Sequence, residues 1–544
     1  MSSRPELTPE QIAKQLQRKA AKEAKKAQAK ALASGAGDAL EDDTGSAKAL
    51  SDEQKAEIER RRFLKREWRD IPSTDLGGSG ADRLKIVTWN VLAQTLVRRE
   101  LFPGSDCLRW SDRKAMLLAE LEQHASADIV CLQECDRLKE FSSSLPNHLH
   151  VKGSGPGKQH GLVIFYRSSR FFVRASRLVH LDSEDLSPSP AVYEGGGDEE
   201  SARKRRGGTR QTKNVGLIVA LQDAEDERRG IVVTTTHLFW HPKYAYERLR
   251  QCIILLRNIR SFQSEHGCTD WPAVFSGDFN TEPDEATYQL LTAPHTPLPQ
   301  AMARRIDDSR VVHDSAKKIA PITSTIAPSE NGTSTPPTAS GTGTNTPVAK
   351  DEDDKEDGEG EGAKEDDKSL PNTRPVKEQD GILSTSEMID LLRQELPESN
   401  GGLTSAYAHA HAYGAASSLS GNKTDVSGNG VVAGESFGGR GGFDHVGIDR
   451  SDAQTTVQGY GEPAYTCFTP LFRLSLDYLF LLPAHPASGS ASKPSLTLIS
   501  DSTLTEAQIT SILAPPKIDQ LGEGLPRKGI CASDHLAVGC EITW

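Results

Sequence analysis

The chain has 544 residues, of which 36% are hydrophobic and 6% aromatic, too little apolar surface for a chain folded throughout, so sizeable stretches lie outside any core. A formal net charge of -12 excludes a protein that grips nucleic acid by bulk charge, and any such site must be local. The 8 cysteines form no CxxC pair and several sit inside apolar runs, as reduced core thiols do, which argues for an intracellular setting.

No apolar stretch approaches the roughly 18–20 residues that span a bilayer, and the start of the chain lacks the hydrophobic centre of a secretory signal. Neither a membrane nor a secreted location is expected. Glu6 and Glu10 also weaken a mitochondrial presequence reading. The first element, "TPEQIAKQLQRKAAKEAKKAQAKAL", has Thr8 as an N-cap, Pro9 at the first helical position and good helix formers after it. It predicts a basic, solvent-exposed helix, either a phosphate-contacting or nuclear-targeting arm or simply a solvated one. Residues 35–50 form a link, and "SDEQKAEIERRRFLKREWRD" predicts a second charged helix leading to Ile71 and Pro72. Residues 1–81 are thus expected to be a charged, helical or disordered arm.

From Leu84 the texture changes to short apolar runs divided by turns and amphipathic helices, the pattern of a packed α/β domain over 82–544. Two flexible insertions interrupt it, at about 183–213 and about 312–440. The first is rich in Gly, Ser, Pro and charge and contains "RKRR" (203–206), a candidate RNA-backbone or import segment. The second contains an acidic tract over 351–367 that cannot bury enough apolar surface to offset its ordering entropy. Within it "MIDLLRQELP" suggests a helix, and the Gly/Ser/Ala stretch that follows is ambiguous. Without these segments roughly 300–340 residues remain, enough for one large domain.

Six apolar runs each deliver a polar group at a comparable station. "LKIVTWN" ends at Asn90, "ADIVCLQE" at Glu134 and "GIVVTTTH" at His237. "PAVFSGDFN" carries Asp278 and Asn280, "RLSLDYLFL" carries Asp477, and Asp534 and His535 stand at the head of "ASDHLAVGCEI". Their lengths and β-branched content predict strands. Alternation would point Asp278 and Asn280 to one side. Each residue alone is an ordinary turn former or surface histidine. Six together, on strands of two facing sheets, would gather at one rim. Carboxylates and amides without clustered thiolates suit a hard cation, magnesium first and manganese as its substitute. Zinc is disfavoured, because no HExxH is present and Pro242 denies His237 and His241 a shared helical face.

In this order, "TWNVLAQ", "CLQE", "TTHLFWHP", "SGDFNTEP", "SLDYLF" and "ASDHLAV" resemble the endonuclease/exonuclease/phosphatase superfamily over residues 82–300 and about 455–544. Within it, "WNVLAQTLVRRELFP" and "HLFWHPKYAYERLRQC" resemble the carbon-catabolite-repressor deadenylase branch, nearest its fungal Ngl-type RNA exonucleases. The arm shows no leucine-rich repeat of the kind some members of that branch carry. The "LDYLF" run lacks the arginine-bearing signature of the superfamily's inositol-polyphosphate phosphatases. The resemblance implies an α/β fold, a four-layer α/β sandwich of two packed mixed sheets flanked by helices.

It also implies hydrolysis of a phosphodiester by an in-line water. Glu134 is then the primary metal ligand and Asn90 a neutral group positioning metal and phosphate. Asp278 activates the water or holds a second metal, and Asn280 donates to a phosphate oxygen. His535, oriented by Asp477, donates to the phosphate oxygens or binds the second metal, His237 stabilises from another side, and Asp534 completes the metal shell or orients His535. Pro242 and Phe472 match positions that sandwich the terminal base. The implied function is a magnesium-dependent 3'-to-5' RNA exonuclease acting on poly(A) or ribosomal-precursor 3' ends. A phosphatase for a small nucleotide and a catalytically silent RNA-binding scaffold are the alternatives. The expected partners are RNA 3' ends and, through the acidic insertion, basic ribosomal or RNA-processing proteins. The expected state is a monomer in the cytoplasm, nucleus or nucleolus.

Overall fold

The computed structural model describes residues 51–71, 82–186, 207–319, 370–377, 380–412, 461–483 and 507–543. Two units are distinguished, Met1–Lys55 and Ala56–Trp544, and among the described residues every strand lies in the second. The predicted basic helix at the start of the chain, the "RKRR" segment and the acidic tract fall outside the described residues.

Two mixed sheets form the centre. In the first, the order is β1 (Trp68–Asp70), β16 (Gln508–Leu513), β17 (Val538–Thr543), β2 (Arg83–Asn90), β3 (Ile129–Gln133), β5 (Leu162–Arg167) and β4 (His148–Gly153). In the second, it is β12 (Thr404–Ser405), β15 (Asp477–Leu481), β9 (Ala273–Asp278), β8 (Gly230–His237), β7 (Val215–Asp223) and β6 (Phe171–His180). Each sheet has one parallel pair, β2 with β3 and β8 with β9, and antiparallel neighbours elsewhere.

The period-two alternation of strand side chains decides what faces what. On β2, Leu84 and Ile86 join the apolar layer between the sheets, whereas Val87 and Trp89 face a helical layer outside. On β9, Val274 lies between the sheets and Ala273 and Phe275 face outward. Ile231 and Val233 of β8 and Leu479 and Leu481 of β15 also enter the inter-sheet layer. The Trp110–Gln123 helix covers the first sheet with Met116, Leu117 and Leu121. The Ala245–Glu265 helix covers the second through Leu249, Ile253 and Leu256, joined by the Ala286–Thr292, Gln300–Asp308 and Thr385–Glu395 helices. Helix, sheet, sheet and helix make four layers, the α/β sandwich expected from the sequence. Full burial of each large aliphatic side chain in these layers stabilises by about 1.5–3 kcal/mol.

Three expectations are corrected. The second charged helix stops at Arg60, and Trp68–Asp70 is instead an edge strand paired antiparallel with β16. Its charges misled, since Phe63, Leu64 and Trp68 pack against the first sheet's outer core. Second, residues 207–213 of the first insertion are not a free loop. Thr209 and Arg210 are buried, with Thr209 Oγ1 donating to Glu247 at 3.1 Å, and the Asp182 carboxylate accepts from Thr212 Oγ1 at 2.7 Å and Lys213 N at 2.7 Å. The threonines are buried here because the Glu247 and Asp182 carboxylates accept from them, and Arg210 lies over the Phe239 and Tyr244 rings. Third, the insertion reading across 312–440 swept in core structure. Val311–His313 pairs with Thr373–Pro375, Ser384 caps the Thr385–Glu395 helix in a capping box with Glu387, and Met388, Leu392 and Tyr407 are buried. Low-complexity neighbours masked these short amphipathic pieces.

The junction between β8 and β9 carries a steric demand. Gly277 has φ +133°, and a Cβ there would lie 2.1 Å from the Thr236 carbonyl oxygen. Gly277→Ala is expected to destabilise the domain by about 1–3 kcal/mol or more through the backbone alone, lowering Tm in thermal denaturation. An unchanged Tm would mean that this strand pair is not so closely held.

Candidate functional site

Alternation also carries the polar groups to their places. Asn90 shares the face of Leu84 and Ile86, His237 that of Ile231 and Val233, Asp278 that of Val274, and Asp477 that of Leu479. Each is therefore directed between the sheets. Asn90, His237 and Asp278 stand at the carboxyl ends of their strands, and Asp477, which opens antiparallel β15, pairs directly with Asp278. Ligands of α/β sheets commonly bind at such carboxyl ends. Glu134 follows β3 with the opposite parity, but its φ of +57° places it in the left-handed region and redirects it.

The groups converge. Asn90 Nδ2 donates to Glu134 Oε1 at 3.0 Å and to Asp278 Oδ2 at 3.0 Å. His237 lies 3.8 Å from Glu134 Oε1 through Nδ1 and 3.6 Å from Asp278 Oδ2 through Nε2. His535 Nε2 is 3.7 Å from the same Asp278 oxygen, and its Nδ1 is 2.8 Å from Asp477 Oδ2. Ala93 N donates to Glu134 Oε2 at 2.9 Å. Asp534 is half-buried beside His535, and its carboxylate lies 3.4 Å from Ser533 Oγ. Asn90, Glu134, His237, Asp278, Asp477, Asp534 and His535 thus occupy one rim.

Asn280 departs from the expectation. The strand ends at Asp278, and Asn280 has φ +47°, so strand alternation no longer applies. Its N–H donates to Asp278 Oδ1 at 3.0 Å and its Nδ2 to the Leu238 carbonyl at 3.0 Å. The amide therefore ties the loop after β8 to the loop after β9.

Electrostatics separate the carboxyl groups. Burial would raise the Glu134 carboxyl, but His237, His160, the Asn90 amide and the Ala93 N–H together hold it below the usual value. Burial raises Asp477, reinforced by the Asp278 charge and opposed by His535. Burial also raises Asp534, with Glu134 adding to it while His535 and Arg113 pull it back. For His535, burial favours the neutral ring, but Cys467, Asp477 and Asp278 outweigh it and raise the group well above an ordinary imidazole. The Asp477/His535 pair consequently retains a proton that an exposed histidine would shed.

The donor set fits a divalent cation. Asp278, Asp477 and His535 each offer a ligand atom, all within 4.8 Å of one another, and Asp477 Oδ1 is buried without a hydrogen-bond partner among the described residues. Glu134, Asp278 and Asp534 supply carboxylate oxygens, the donors a hard ion requires, whereas Asn90 turns its amide nitrogen to Glu134 and Asp278 and its oxygen to Leu92 N.

Supporting residues were not singled out from the sequence. Arg113 is fully buried and donates through Nε to the Ala532 carbonyl at 2.7 Å, through Nη1 to Gln94 at 3.0 Å, and through Nη2 to the Val91 and Leu92 carbonyls at 2.7 and 2.6 Å. It joins the turn after Asn90 to the loop before His535. The signal was an arginine in helical phase with Met116, Leu117, Glu120 and Leu121, all buried. Below the rim, Gln133 Nε2 bridges the sheets by donating to Thr88 Oγ1 at 2.8 Å and Thr235 Oγ1 at 2.9 Å. Ser533 Oγ donates to the Asn90 carbonyl at 2.7 Å.

The predicted base-contacting residues lie on loops attached to this rim. Pro242 is exposed in the loop after β8, where buried Arg248 donates to the His241 and Pro242 carbonyls at 2.6 and 2.8 Å. Phe472 is 37% exposed in the turn between β13 (Cys467–Phe468) and β14 (Arg473–Leu474), just before Asp477. Trp240, 49% exposed, is a further aromatic that the sequence reading passed over.

A sandwich of two mixed sheets with carboxylate, amide and imidazole groups at one rim defines the DNase I-like class of α/β fold. Residues 87–347 of the chain match the pattern of the Endonuclease/Exonuclease/phosphatase family. It is similar to "Probable RNA exonuclease C9B6.11c" of Schizosaccharomyces pombe, 37% identical over 42% of this chain and 43% of that protein. It is also similar to "RNA exonuclease NGL2" of Saccharomyces cerevisiae, 33% identical over 39% and 42%. A third relative is "2',5'-phosphodiesterase 12" of Bos taurus, 31% identical over 38% and 35%. The chain thus spans well under half the length of these relatives.

Arg113→Lys replaces a forked donor by a single ammonium that cannot reach four acceptors on two loops. Leaving even one or two of these buried carbonyls unsatisfied costs about 1–3 kcal/mol each, so the midpoint of urea unfolding should fall. A midpoint equal to that of the parent would show that the staple is dispensable.

Proposed function

We propose that this protein is a metal-dependent phosphodiesterase that shortens RNA from the 3' end and releases nucleoside 5'-monophosphates. The observation that carries the reading is the Asn90 amide held between the Glu134 and Asp278 carboxylates, with two imidazoles beside the same Asp278 oxygen. Such a set can hold a cation and a phosphate and move one proton. The names of the fungal relatives favour RNA as substrate.

Magnesium, with manganese as its substitute, would be held by Glu134, Asp278, Asn90 and Asp534. When bound, the ion supplies Lewis-acid polarisation of the phosphoryl group. Asp278 accepts the proton of the attacking water. His535, kept protonated against Asp477, donates to a phosphate oxygen as negative charge builds, and His237 faces that charge from the Glu134 side. Asn280 spends one N–H on Leu238 and so holds the loop leading to Pro242 in place. Pro242 and Phe472 offer faces for the terminal base. RNA reaches this rim in an intracellular setting. Basic RNA-processing proteins are the partners that the acidic insertion would suit.

The test is purified protein with end-labelled RNAs carrying different 3' tails, in magnesium or in EDTA, beside Glu134→Gln and Asp278→Asn. Each substitution should cut turnover by about 10²–10³-fold, and EDTA should abolish it. Phe472→Ala should raise KM roughly 5- to 150-fold, the equivalent of one stacked base. Because one relative is named a 2',5'-phosphodiesterase, 2',5'-linked and phosphorylated dinucleotides belong in the same assay. Preference for them would replace the RNA-end reading, and RNA bound without any metal-dependent product would remove the hydrolytic one.

A further inference from the structure

Beside the hard donors stands one soft donor that this reading does not use. Cys467 and His535 form an antiparallel bridge, flanked by hydrogen bonds from Phe468 N to the Asp534 carbonyl at 2.9 Å and from Leu536 N to the Thr466 carbonyl at 2.7 Å. The two residues are therefore a non-hydrogen-bonded pair, the kind whose side chains stand closest and on the same face. The Cys467 sulfur, an oxygen of Asp534 and a ring nitrogen of His535 all lie within 4.8 Å of one another. Cys467 and His535 are buried and Asp534 half-buried, so the three are held by the fold and not by a surface loop.

Thiolate, imidazole and carboxylate make a donor set that magnesium leaves alone and zinc prefers. Tetrahedral zinc places such donors roughly 3.3–3.7 Å apart, so the observed spacing needs about 1.5 Å of closure at most. We propose that Cys467, Asp534 and His535 form a second metal site, selective for Zn²⁺, whose occupation silences the hydrolytic centre. Binding replaces the Cys467 S–H bond by a zinc–sulfur bond and releases the proton to solvent. It also claims a ring nitrogen of His535. Whichever nitrogen is taken, His535 loses either its contact with Asp477 at 2.8 Å or its approach to Asp278 at 3.7 Å. The silencing rests on the hydrolytic reading above, and the binding does not.

The experiment uses the full chain and Co²⁺ as a spectroscopic stand-in for zinc. The parent protein should develop a sulfur-to-cobalt charge-transfer band that saturates at one equivalent and is erased by zinc. Cys467→Ser should lack the band. In the RNA assay with magnesium in large excess, zinc should inhibit the parent, and Cys467→Ser should require at least about 10-fold more zinc for half-inhibition, each protein being scaled to its own rate without zinc. If Cys467→Ser does not fold by circular dichroism, Cys467→Ala serves in both measurements. A parent without the band, a band that survives removal of Cys467, or equal zinc sensitivity of parent and variant overturns the proposal. A band that depends on Cys467 in a protein that hydrolyses no RNA would leave the metal site standing and overturn the proposed activity.

Discussion

Two carboxylates delivered from different sheets to one space repel each other, and the structure depends on the amide placed between them. Asn90 gives its Nδ2 to both Glu134 and Asp278, and its own Oδ1 accepts from Leu92 N at 3.0 Å. A lysine in that place would neutralise the charge that a cation needs, and an aspartate would add a third negative group. An amide satisfies the acceptors without spending their charge. Around it the packing is graded. The inter-sheet space passes from Ile86, Ile129 and Val233, through the Thr88, Gln133 and Thr235 hydrogen-bonded layer, to the carboxylates. Buried charge at one end and a dry core at the other are thus separated by one layer of neutral polar side chains, tied across the sheets by the Gln133 amide.

How much of this was legible depends on whether the information was local. The strands announced themselves through their lengths and β-branched content, and the polar groups at their ends, Asn90, His237, Asp278 and Asp477 among them, were expected to gather at one rim of two facing sheets. Glu134 was legible as a residue at a strand's end but not as a neighbour of Asn90, because a left-handed backbone undoes its parity. Asn280 failed for the same reason in reverse, since the strand had already ended. Arg113, Arg248 and Gln133 escaped because their value lies in carbonyls and hydroxyls contributed by distant segments. A charged residue in phase with apolar ones was the only local trace they left.

Composition misled most where short core elements adjoin long polar stretches. Met388, Leu392, Leu403 and Tyr407 belong to the second sheet's surroundings, yet they follow an acidic tract and precede a Gly/Ser-rich one. The same holds for Trp68, whose charged neighbours read as solvated helix although its ring packs in the first sheet's outer core. An average over a window dilutes four or five buried side chains, whereas burial is decided residue by residue.

The pairing of β17 with β2 has a further implication for how the molecule comes into being. Trp89 Nε1 reaches the His535 carbonyl across 446 residues of sequence at 2.9 Å. A chain emerging from the ribosome therefore carries an unfinished first sheet, with one long side of β2 bare, for most of its synthesis. Until β17 docks, Asn90, Glu134 and Asp278 lack the His535 and Asp534 that stand just before that strand, so a copy without it has an incomplete rim.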